Sequence, residues 1–303
     1  MFKLYKLLIL IIIVSGSFFQ LVYSNEDSQK PFILGSIEKG SMKKVEKIVR
    51  KKLANNGFEI IGEHSSLSNV KVIIITNKFL KNSASESFYG GFGSFQRVYL
   101  SKDGNRVKVI YNNPIYTFHA YQMSGTLEPV LKDLKKALGM EKSFGSEKGI
   151  EIDKLESYHL DHIPGEDMMP FFDDFYELAT FDSYAEAVEV VENAIKSNKG
   201  FAQNIFRIDI PNKDETVFGI TYNKDKNICK EILDTFGTKS NVCAAVLPYE
   251  ILVTDNEVIA MHAKFRIPLN FHDIFNGNEA NLNKLEGFSF DIEKFLKILS
   301  TAK

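Results

Sequence analysis

Residues 41–58 read SMKKVEKIVRKKLANNGF and residues 183–201 read SYAEAVEVVENAIKSNKGF. At an offset of 143, Val45 meets Val188, Ile48 meets Val191, Asn55 meets Asn198, Gly57 meets Gly200 and Phe58 meets Phe201. Both segments space their apolar residues as one face of a helix: Val45, Ile48, Val49 and Leu53 in the first, Ala187, Val188, Val191 and Ile195 in the second. Ser183 with Glu186 forms a capping box, and Gly57 and Gly200 stand where a left-handed C-cap is expected. A chain that repeats one helix in this way is limited to folds that use the same unit twice.

The segments after each helix repeat as well. An apolar, β-rich run comes next, VKVIIIT at 70–76 and ETVFGITY at 215–222. A hairpin succeeds it. In the first copy, strands beginning at Arg97 and Val107 flank the Asp103-Gly104 turn; in the second, strands beginning at Tyr249 and Val258 flank Asp255-Asn256. After the hairpins, PIYTFH at 114–119 matches PLNFH at 268–272, and helical patterns at 127–138 and 291–299 close each unit. The expected fold is a duplicated α/β unit of the α+β two-layer sandwich type. The first unit covers 37–143, a linker 144–178 and the second unit 179–303. The first unit shows no clear counterpart of the helical pattern at 228–236.

The helix ending in NGF, the apolar strand and VYLSKDGNRVKVIYNNP in the first copy resemble the small α/β domain of the "domain of unknown function 302" family. LPYEILVTDNEVIAMHAKFRIP in the second copy resembles it too. The resemblance spans most of the chain after residue 36. It implies a fold and no established activity, so it assigns no catalytic residues.

The N-terminus carries an address. Lys3 and Lys6 precede the apolar run LLILIIIV at 7–14, and Val22 and Ser24 suit the −3 and −1 positions of a signal peptidase site. Residues 1–24 are therefore expected to form a cleaved signal helix and the chain to be exported, periplasmic or extracellular. The alternative is an uncleaved anchor over 2–23, which is long enough to cross a bilayer. Without residues 1–24 the formal charge moves from −2 to −4. This mildly acidic chain lacks the basic footprint of a nucleic-acid binder. Its 25 Phe and 12 Tyr without any Trp point to packing rather than to a specific chemistry. No later apolar run is long enough for a membrane span.

Cys229 and Cys243 can pair in an oxidising compartment, stabilising by roughly 3 kcal/mol for a loop of that length, or can be two buried thiols. The linker gathers the densest set of ligating side chains: His159, Asp161, His162, Glu166, Met168 and Met169. Imidazole with thioether suits copper, and imidazole with carboxylate suits zinc, iron or manganese. Without a closed ligand motif, the same residues also read as a connector packing Met168, Met169, Phe171 and Phe172 onto a neighbouring domain. His119 and His272, at matching places after the two hairpins, are candidate ligand-binding imidazoles or structural caps on the sheet. His64 and His262 read as ordinary residues, and GGFG at 90–93 as a flexible loop, since it lacks the spacing of a phosphate loop. No nucleophile motif appears. The function expected is a non-catalytic module that binds a small ligand or transition metal in a cleft between the copies. An assembly module forming homo-oligomers is the alternative, and an enzyme of unknown class the second alternative.

Overall fold

The computed structural model describes residues 28–65, 67–160, 169–198, 200–222 and 246–301. The leader 1–24, Asp161, His162, Glu166, Met168, Cys229, Cys243 and the helical pattern at 228–236 lie outside the described residues. The protein is a mixed α/β structure in which sheets pack against helices.

The first unit opens with β1 (Ser28–Gln29) and β2 (Phe32–Lys39), then α1 (Met42–Asn55), β3 (Glu59–His64), β4 (Val70–Thr76) and α2 (Lys78–Glu86). It continues through the hairpin β5 (Gln96–Asp103) and β6 (Arg106–Asn112), then α3 (Pro114–Ala120), α4 (Glu128–Leu138) and β7 (Lys142–Phe144). The connection holds β8 (Ile150–Glu151) and α5 (Ile152–Glu156). The second unit runs β9 (Phe175–Thr180), α6 (Tyr184–Ser197), β10 (Ala202–Asp209), β11 (Glu215–Tyr222), β12 (Tyr249–Thr254), β13 (Glu257–Met261), α7 (Ala263–Asn270), α8 (His272–Phe275) and α9 (Glu279–Ser300).

Both sheets share one antiparallel strand order. It is β3-β4-β5-β6-β2 in the first, with β7 added at the edge, and β10-β11-β12-β13-β9 in the second. The opening strand of each copy even slips register at the same place, at Gly35 and at Leu178. Each copy therefore begins with a strand rather than a helix, and β9 starts inside the stretch expected to be linker. Between the third and fourth strands the first copy does carry a helix, α2. The amphipathic helices form where their spacing puts them. Ser41 accepts the Lys44 N–H, Val45, Val49 and Leu53 are buried, and Gly57 at φ +80° lets the chain leave the helix. Ile48, expected on the same face, is exposed. Gly200 takes no left-handed conformation, because α6 already ends at Ser197 with Asn198 donating its N–H to the Ala194 carbonyl.

Strand alternation decides how the layers stack. In the first sheet Ile33, Ile73, Ile75, Val98, Leu100 and Val109 face α1 and α4 and enclose a core with Val45, Leu53, Val130 and Leu134. Phe32, Leu34, Val70, Val72, Ile74 and Tyr99 point the other way and join one continuous core with the second copy. In the second sheet Glu215, Glu250 and Leu252 meet the first copy, whereas Thr216 bonds Tyr184 of α6. The result is four layers, helices–sheet–sheet–helices. The two copies press sheet to sheet instead of opening a cleft.

Equivalent residues meet across this interface. Gly62 of β3 lies against Ile205 of β10, the same offset of 143 that relates the helices; a Cβ on Gly62 would stand 2.4 Å from the Ile205 carbonyl oxygen. Arg97 and Glu250, each the second residue of its hairpin, form an ion pair.

Candidate functional site

The connection between the copies builds a polar groove on the described surface. β1 pairs with β8, Ser28 opposite Glu151 and Gln29 opposite Ile150, which anchors the start of α5. The turn before β8 is tied to the second copy, since Asp273 of α8 accepts hydrogen bonds from Ser146 Oγ at 3.0 Å and from the Glu147 N–H at 2.7 Å. These ties hold open a groove of about 580 Å³ between the β1–β8 ribbon, the end of α5 and α8. Tyr158, His159, His272, Lys148, Lys154 and Glu151 give it its chemistry.

His272 Nδ1 meets the Tyr158 hydroxyl at 3.1 Å, and His159 Nδ1 donates to the Ser157 carbonyl at 3.2 Å while its ring tilts against Phe171 at 4.4 Å. Lys154 is paired with Glu151 at 3.0 Å. The two serine hydroxyls of the groove are bound to backbone: Ser28 Oγ donates to the Lys148 carbonyl and Ser157 Oγ to the Asp153 carbonyl.

On the other side of α5 lies a shallower hollow of about 380 Å³ lined by Phe118, His119, Gln122, Met123 and Glu156. His119 Nδ1 bonds the Glu156 carboxylate at 2.9 Å, and Gln122 Nε2 donates to the Glu156 carbonyl at 3.0 Å. His119 and His272 thus flank the same short helix but do not occupy equivalent positions. His119 lies within α3, whereas His272 opens α8, after the helix α7 that corresponds to α3. The positions that do correspond are Asn113 and His262, the N-caps of α3 and α7, each accepting an N–H two residues on at 3.1 Å. His262 is therefore a helix cap, half-buried against Tyr176 at 4.3 Å, with its pKa pulled down to about 4 by burial and then by the Lys264 ammonium.

Of the proposed linker ligands, Met169 is buried in the shared core and leaves the ligand set. His159 faces the groove. Among the described residues no group of three or more His, Cys, Asp or Glu side chains converges as a metal site, and no helix is long and apolar enough to cross a membrane.

The largest departure from the sequence-based expectation is a buried ionic cluster between the sheets. Glu250 is held by Arg97 and by Arg266, whose guanidinium also donates to the Val246 carbonyl at 2.6 Å and the Pro248 carbonyl at 3.0 Å. Arg266 and Glu250 are 1% exposed and Arg97 7%. Glu215, fully buried, accepts the Gly91 N–H and pairs with Lys213; burial raises its pKa. GGFG at 90–93 is therefore no flexible loop but a buried single turn of 3-10 helix, closing the interface around a carboxylate of the other copy.

No family model, curated protein or solved structure matches this chain. Function is therefore argued from these side chains.

Proposed function

We propose that this chain is an exported, non-catalytic binding protein whose small ligand occupies the groove between α5, α8 and the β1–β8 ribbon. One observation carries the reading: two imidazoles, a phenol and two ammonium groups line a single concavity of about 580 Å³ where the connection meets the second copy. Concavities with a few convergent polar groups are the usual seats of small ligands. Binding is favoured over nucleophilic chemistry because both serine hydroxyls of the groove donate to backbone carbonyls rather than to an imidazole. The leader pattern at 1–24 supports export, and kinship with the "domain of unknown function 302" family belongs to the same proposal, resting on the quoted motifs.

Native mass spectrometry of protein purified from the cell envelope tests this. The expected spectrum shows the chain starting near Asn25 with a bound small molecule or ion that a His159→Ala/His272→Ala double variant loses. A ligand-free oligomer would overturn the proposal in favour of an assembly module.

A further inference from the structure

We infer that copies of this chain associate head to tail, the basic outer helix layer of one, α1 with α4, docking on the acidic outer helix layer of the next, α6 with α9. The four-layer stack puts these two layers on opposite outer faces, one over the first sheet and one over the second. Their folds match, and their charges do not. α1 and α4 carry nine basic and three acidic side chains, whereas α6 and α9 carry seven acidic and four basic. The reversal falls on equivalent positions. Counted from the N-cap serines Ser41 and Ser183, the buried Val45, Val49 and Leu53 of α1 correspond to the buried Ala187, Val191 and Ile195 of α6. In the same register Lys44, Lys47 and Arg50 correspond to Glu186, Glu189 and Glu192.

The charge of α1 is not relieved within its own helix. Lys43, Lys47 and Lys51 follow one another at four-residue intervals along its exposed side, where like charges repel. Lys43 and Lys44 also stand in a first turn without any acidic residue, against the positive end of the helix dipole. Glu46, the one carboxylate of α1, is taken up by Arg50 and Lys71. A surface rich in carboxylates relieves this repulsion, and α6 offers the exposed Glu186 and Glu189 at the spacing of Lys44 and Lys47. Each face also shows an exposed apolar side chain among its charges, Ile48 on α1 and Phe290 on α9, so the contact excludes water as well as pairing charges. Joining unlike faces leaves a basic face free at one end and an acidic face at the other, so association continues past the dimer.

Sedimentation velocity of the chain purified from the cell envelope tests this at about 20 mM and about 500 mM sodium chloride, where the reach of surface charges falls from roughly 20 Å to roughly 4 Å. In low salt the mean mass is expected to rise past that of a dimer as the chain is concentrated, and in high salt to return to the monomer. Lys44→Glu/Lys47→Glu/Lys51→Glu and Glu186→Lys/Glu189→Lys/Asn193→Lys should each stay monomeric, their folds checked by melting curves, and an equimolar mixture of the two should associate again. Should a triple variant not fold, the exposed single substitutions Lys47→Glu and Glu189→Lys serve, each weakening association several-fold. A wild-type chain that is monomeric in low salt, association that high salt does not reduce, or variants that associate as the wild type does, overturns the inference. A monomeric wild-type chain that binds phosphatidylglycerol vesicles, with binding lost in the lysine variant, gives the basic face to a lipid surface and overturns it too.

Discussion

Three charged side chains decide much of the energetics between the sheets. Arg97, Glu250 and Arg266 are buried together, and their charges do not cancel, since two guanidiniums share one carboxylate. Removing Glu250 leaves two like charges without their anion, whereas removing Arg97 leaves a balanced Glu250–Arg266 pair. Breaking a buried pair from one side costs about 3–5 kcal/mol. Glu250→Ala should therefore lose stability in that range by denaturant unfolding, and Arg97→Met clearly less. Equal losses, or a loss below about 1 kcal/mol for Glu250→Ala, would contradict this account of the cluster. None of it was legible in the sequence. Arg97 and Glu250 each sit at the start of an apolar strand, where a charge normally reads as a solvent-exposed end. Only a stacked second sheet makes the two ends face each other.

At the scale of elements, periodicity was a reliable guide to α1, α4 and α6, because each buries one face, and turn residues marked the hairpins, whose strands are buried on both faces. The opening strands β2 and β9 were missed. Half of β2 is fully buried and half alternates, so it follows neither strand pattern cleanly. The matching of His119 with His272 failed for a physical reason too. It was anchored on Pro114 and Pro268, but Pro114 stands in the first turn of α3, where proline fits, and Pro268 lies inside α7. The caps give the true register, and one of them titrates. His262 Nδ1 can accept the Lys264 N–H only while the ring is neutral. Its folded pKa of about 4 lies below the ordinary value of 6.5, so between these values the unfolded chain binds the extra proton. Stability from this group is complete above pH 6.5 and is lost as the pH falls toward 4. His262→Asn keeps a capping side chain without the titration. Melting temperatures taken from pH 7 to 4 should fall less steeply for this variant than for the wild type; parallel curves would show that His262 does not set the slope.

For the whole molecule, the duplication was legible because it rests on periodic apolar faces and turn residues, which short sequence stretches carry. The stacking of the copies was not, since it depends on which face of each sheet is left without helices. The expectation of two separately cored domains around a cleft gives way to one core on the helix side of the first sheet and a second that runs through both copies. The candidate groove consequently sits at the edge of the stack, beside the connection. Two sheets that bury each other's inner faces should not unfold independently. Scanning calorimetry of the full chain, alone and as Glu250→Ala, tests this face-to-face arrangement most directly. The account predicts one transition whose calorimetric and van't Hoff enthalpies agree, moved as a whole to lower temperature by the substitution. Two resolved transitions, of which Glu250→Ala shifts only one, would contradict it.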